Sequence, residues 1–127
     1  MGLDPKFIAT PITDHVSIST ANTNRNGTGT LGTAHTAGAN GSLITNIRIV
    51  AEGTTTAGVI RIFLDDTADV ALWHEILVEA ITPSTTVQVW SYDLILTVPL
   101  KLEATHIIKA STHNAETFNV FVHGGSY

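Results

Sequence analysis

None of the 127 residues is a cysteine, which excludes a disulfide framework and any thiolate metal site. Stability is left to packing and hydrogen bonding, a composition that fits assembly in a reducing cytoplasm. Charge is scarce too: Asp, Glu, Lys and Arg together make 13% of the chain, about half the usual share. The six lysines and arginines are scattered and the formal net charge is −5, so the clustered positive footprint of a nucleic-acid surface is missing. No segment approaches the length of a membrane-spanning helix, and the first residues lack a basic region followed by a continuous apolar run. These absences predict a soluble, unsecreted protein that binds neither nucleic acid nor membrane.

What the chain has instead is threonine, serine, asparagine and glycine, with short alternating apolar runs between them. Its length suits one domain, burying roughly two thirds of the unfolded surface. A weakly charged surface is cheap to desolvate and suits extensive subunit contacts.

Residues 42–66 carry the two best strand patterns. In residues 43–52 one face reads Leu43, Thr45, Ile47, Ile49, Ala51 and the other Ile44, Asn46, Arg48, Val50, Glu52, the period of two of a half-buried strand. Ile60, Ile62 and Leu64 repeat it, with Arg61 on the opposite side. Gly53-Thr-Thr-Thr-Ala-Gly58 between them reads as a turn, so the stretch predicts a β-hairpin. Pro5 and Pro11 among Phe7, Ile8 and Ile12 favour an extended arm or edge strand over residues 1–14. A short strand follows from His15. Residues 21–42 are rich in glycine, asparagine and threonine, and the turn dipeptides Asn26-Gly27 and Asn40-Gly41 favour a small strand around residues 31–37. Further strands fall at 70–78, 87–102, 106–111 and 117–123, with Pro99 expected at a strand end or on an edge.

About seven to nine short strands without an amphipathic helix are the pattern of an all-β protein, an antiparallel β-sandwich or closed barrel. The expected architecture is a jelly-roll-like β-sandwich over residues 15–127 with an extended N-terminal arm over 1–14. An immunoglobulin-like or other Greek-key order stays open.

The sequence offers few chemical sites. Six histidines, His15, His35, His74, His106, His113 and His123, include no pair at i, i+2 or i, i+4, unlike the metal motifs of jelly-roll enzymes. Asp65, Asp66 and Asp69 lack the further ligands of a calcium loop and read as a turn. In Trp73-His74-Glu75 the alternation puts Trp73 and Glu75 on one face and His74 on the other. Trp90 and Tyr92 alternate as core aromatics do, and they are also the pair that a glycan-binding module of a tail fibre or baseplate would use. No nucleophile elbow, phosphate loop or zinc-protease motif occurs. The reading is of a protein without catalysis, cofactor or metal.

Several stretches carry a likeness: Asn24-Arg25 before Gly27-Thr28-Gly29, Gly53-Thr-Thr-Thr-Ala-Gly58, Leu72-Trp73 with Glu75-Ile76, Thr82-Pro83-Ser84, and Phe118-Asn119-Val120 with Gly124-Gly125. Over residues 21–127 the chain resembles small virion structural proteins of tailed bacteriophages and prophages. The resemblance implies a head decoration or cement protein, made in the host cytoplasm and bound on the capsid surface, with the major capsid protein as partner. It implies a homo-oligomer, a trimer being matched to local three-fold axes. The expected capsid-facing residues are Leu3, Pro5, Phe7, Ile8, Pro11 and Ile12 of the arm, then Asn24 and Arg25 of the following loop.

Overall fold

The computed structural model describes residues 8–127, and these hold eight strands. They are β1 (Thr10–Ile18), β2 (Gly32–Thr36), β3 (Ser42–Ala51), β4 (Gly58–Asp65), β5 (Val70–Val78), β6 (Ser91–Leu102), β7 (Ile107–Thr112) and β8 (Phe118–Ser126). No helix occurs among these residues. Two four-stranded sheets form, in the orders β1-β8-β3-β6 and β2-β7-β4-β5, and every named strand pair is antiparallel. The protein is a β-sandwich. Ile44, Ile47 and Ile49 from one sheet and Ile60, Ile62 and Ile108 from the other are fully buried in the layer between them, the region where alternating apolar rows meet.

Strand pairing corrects the expected hairpin. β3 and β4 are both strands, but they lie in different sheets, and the glycine-bounded link between them crosses the sandwich. Alternation tells which face of a strand is apolar; it does not tell which strand lies beside it. The link is tied to the segment that follows β5: Thr55 donates its N–H to the Ile81 carbonyl (2.9 Å) and its hydroxyl to the Glu79 carbonyl (2.7 Å).

Within β3 the alternation slips once. Thr45 is an extra residue against β8, since Ile44 pairs with Gly124 and Asn46 with His123. Such a bulge exchanges the two faces. Ile44 therefore joins Ile47, Ile49 and Ala51 in the core, while Leu43 does not. The expected faces hold only after Thr45. Pro99 lies on β6, the edge strand of this sheet, where pairing with β3 is also out of register; a residue without an N–H costs least there.

The first strand opens at Thr10, before the boundary drawn at residue 15. Pro11 and Ile12 pair with Gly125 and Gly124 of β8, and Ile12 is half-buried against the core. Ile12 is covered because the C-terminal end of β8 runs far enough to pair with it. Glycine is needed at Gly124, where a Cβ would collide with the Leu43 carbonyl, while one on Gly125 would displace the exposed Ile8 side chain. Leu3, Pro5 and Phe7 lie outside the described residues.

β1 packs across onto β2 along one flank of the sandwich. The opposite flank is formed by β5 and β6, the other edge strand of each sheet. These flanks are built differently.

Candidate functional site

On the β1/β2 flank three strands deliver one polar side chain each to a single chain of hydrogen bonds. Asp14 lies in the inward row of β1 between Ile12 and Val16, His35 near the end of β2, and Ser42 at the start of β3. His35 Nδ1 is 3.1 Å from Asp14 Oδ2, and His35 Nε2 is 2.9 Å from Ser42 Oγ. The tautomer with its proton on Nδ1 donates to the carboxylate and accepts from the serine hydroxyl, so it satisfies both neighbours. This is the connectivity of a hydrolase triad, and nothing in the sequence spacing announced it. Its burial is inverted, however. The Ser42 side chain is 0% exposed, whereas that of Asp14 is 53% exposed; a catalytic triad needs a nucleophile that meets substrate and a sheltered carboxylate. What the arrangement does is couple the two sheets, since Asp14 and Ser42 belong to one and His35 to the other.

A second network lies on the outer face of β4. Arg61 lies on the side of its strand away from the aliphatic row, as expected, yet it is fully buried, and a buried charge persists only when paired. Its Nε donates to Glu75 Oε2 (2.9 Å), its Nη1 to the Asn22 carbonyl (3.1 Å), and its Nη2 meets His113 Nδ1 at 3.2 Å. Phe63, two residues on and therefore on the same face, is buried as well. The cover is the loop after β1. Asn22 donates its side-chain amide to the Thr28 and Thr30 carbonyls (3.0 Å each) and takes the Asn24 N–H. Gly27, with φ +83, passes close over Val70, where a Cβ would strike the Val70 carbonyl oxygen. Arg25 completes the latch with its Nε 2.7 Å from Glu75 Oε2. The Arg25 hydrogen bond, with that from Arg61 beside it, holds the Glu75 carboxyl below its ordinary range against the opposing effect of burial. Arg25 is thus engaged within the chain, and Asn24, though exposed, bonds Thr28 Oγ1.

The β5/β6 flank is open. Between the end of β5 and the start of β6 lies a cleft of about 600 Å³, whose lining includes Leu77, Glu79, Gln88, Ser91 and both aromatics singled out from the sequence, Trp90 and Tyr92. Trp90 is buried, edge-on against Phe118 at 5.8 Å between centroids, and the half-open Tyr92 ring lies parallel to it within 9°. Two rings at i and i+2 share a face, as the alternation predicts. Leu77 (79% exposed), Ile95 (72%) and Val98 (81%) all belong to these two edge strands.

The remaining candidates disperse. Trp73 packs against the core while Glu75 serves the two arginines on the outer face, so they do not share a face. The pairing shows why: Ile62 faces His74 and Phe63 faces Leu72, leaving Trp73 as an extra residue. Asp65 and Asp66 shape their turn, accepting the Thr67 N–H and the Ala68 and Asp69 N–H groups. The Lys109 hydrogen bond, then that of Thr67, lowers the Asp65 pKa. His15 stacks on Phe121, and His123 meets Thr13. Among the described residues no group of three His, Cys, Asp or Glu side chains is placed to hold a metal. No family model, no curated protein and no solved structure matches the chain.

Proposed function

We propose that the protein is a structural component of a tailed-phage particle, a decoration protein that binds the major capsid protein on the outside of the expanded head. The observation that carries the reading is the β1 edge. Among the described residues this strand pairs with β8 on one side only, and Ile8, just before it, is 40% exposed and close to Gly125. An unpaired edge continuous with an apolar, proline-bearing segment suits strand addition to a partner sheet. The sequence resemblance supplies the phage context, and the weakly charged surface is compatible with repeated subunit contacts. The strand orders β1-β8-β3-β6 and β2-β7-β4-β5 support reading the sandwich as a jelly roll, an architecture used by capsid proteins and by lectins.

Decoration acts by mass action: a subunit that binds the assembled lattice and has little affinity for separated capsid subunits stabilises the shell by that difference. Copies associate as a homo-oligomer, with a trimer matching a local three-fold axis, and Ile95 and Val98 on β6 are the contact we assign to it. The test is to mix the protein with expanded heads and, separately, with tails. Saturation of heads in many copies is the expected result. A few copies on tails, and none on heads, overturns it. Removal of residues 1–7 leaves every described strand intact and should abolish head binding; a folded truncation that still decorates heads rules out the arm.

A further inference from the structure

We propose that the cleft on the β5/β6 flank binds an uncharged saccharide, with Tyr92 as the ring on which the sugar stacks. The site is distinct from the β1 edge assigned to the capsid, and it lies on the opposite flank of the sandwich. A decorating subunit docked by β1 leaves the cleft itself free, since Ile95 and Val98, the contact assigned between copies, are not part of its lining.

The argument starts from the aromatic column. Phe118 in the core holds Trp90 edge-on, and Trp90 lies parallel to Tyr92, which is 41% exposed. The outermost ring therefore has its plane set from inside the core, and a ring fixed before binding loses little freedom when a ligand covers it. A flat aromatic face is matched by the apolar C–H face of a pyranose. The cleft volume, about 600 Å³, falls within the range of small-ligand sites, about 300–1,000 Å³, which leaves room for a short saccharide.

The polar lining decides the chemistry. Glu79, Gln88 and Ser91 bring a carboxylate, an amide and a hydroxyl to the cleft, and among the described residues their side chains have no hydrogen-bond partner. A purely apolar ligand would strip water from these groups and leave them unpaired, at a cost. An anionic ligand would meet Glu79. A cationic one would find Glu79 alone to pair with, since Glu75 is already held by Arg25 and Arg61 and the Arg25 charge stands beside it. A neutral ligand rich in hydroxyls, with one apolar face, satisfies all three constraints.

The experiment is a titration of the isotope-labelled protein with maltose, cellobiose, lactose and chitobiose to about 10 mM, a ceiling suited to weak, millimolar binding, alongside a short arginine-rich peptide. At least one sugar should shift the amide signals of Gln88, Ser91 and Tyr92 saturably. Tyr92→Ala should weaken that binding by at least about tenfold, and Tyr92→Phe should retain most of it, because the ring face does the stacking. Thermal unfolding of each variant separates lost binding from lost fold. If Tyr92→Ala unfolds, Gln88→Ala on the exposed loop provides the same reading. The proposal is overturned by flat titrations with all four sugars, by binding that ignores both substitutions, or by tighter binding of the basic peptide to the same amides. Each outcome is read without heads present, so the decoration test stands or falls separately.

Discussion

The two flanks of this sandwich solve the same problem in opposite ways. Each sheet ends in strands with unpaired backbone groups, which invite association unless covered. Along β1/β2 the gap between sheets is closed by strand packing and by the Asp14, His35 and Ser42 hydrogen bonds, which join one sheet to the other. Along β5/β6 it is held open, with Leu77 and Tyr92 lining a cleft and Ile95 and Val98 exposed farther along β6. Polar atoms on the closed flank are spent on each other; on the open flank Glu79, Gln88 and Ser91 stay available. A cleft that takes a small polar ligand needs such atoms free, whereas a staple between two sheets needs them engaged.

Substitutions can break this contrast in a graded way. The largest loss is expected where the sheet beneath the latch loses its buried cation: Arg61→Ala strips partners from Glu75, the Asn22 carbonyl and His113 and should destabilise by about 3–5 kcal/mol in urea unfolding. Next comes the closed flank. His35→Ala leaves the Ser42 hydroxyl buried without its partner and should cost about 1–3 kcal/mol; a loss no larger than that of an exposed residue removes the stapling role. Acid provides a third probe. Because the folded-state pKa of Glu75 is lowered from 4.5, its contribution is present above that value and is lost as pH falls through the lower folded value. Stability measured from pH 7 downward should therefore decline there, less steeply in Glu75→Gln.

On the open flank the same measurement should register almost nothing. Ile95→Ser with Val98→Ser should change stability by less than about 0.5 kcal/mol, as exposed positions do, while shifting the sedimentation profile toward monomer. An unchanged profile discards these residues as a contact between copies. The smallest effect is expected at Ser42: a fluorophosphonate probe should leave the folded protein unlabelled, since the hydroxyl is buried. Labelling at Ser42 would revive the hydrolase reading of the triad.

Individual strands were legible because half-buried segments alternate, and β2 could be anticipated from glycine-rich turns on either side of Leu31 and Ala37. Their neighbours were not. Residues 42–66 read as a hairpin because both strands carry an apolar face, and nothing local distinguishes a turn within a sheet from a crossing between sheets. The bulges at Thr45 and Trp73 escaped for a related reason: an extra residue is visible only against a partner strand. The burial of Arg61 could not be read from its strand, because the cover comes from a loop some forty residues earlier, about the separation from Asn22. Trp90 and Tyr92 were found because i and i+2 share a face on any strand. The Asp14, His35 and Ser42 set was missed because it draws one residue from each of three strands.

One feature of the topology reaches beyond the finished molecule. The pairs β4·β5, β3·β6, β2·β7 and β1·β8 are nested about the turn between β4 and β5, alternating between the two sheets. Only the innermost pair joins strands close in sequence, and each further pair closes a loop already shortened by the one inside it, which lowers its entropic cost. The chain is thus expected to zip outward from this turn, slowly for its size because most pairings are long-range. Conservative truncations at Ile60 and Ile76 should slow folding most, and those at Val16 and Val120 should mainly speed unfolding. Equal effects on folding rate at all four positions would argue against an inside-out order. The last strand pair to form would then be β1 with β8, so the edge we assign to the capsid would be completed only when the rest of the body is in place.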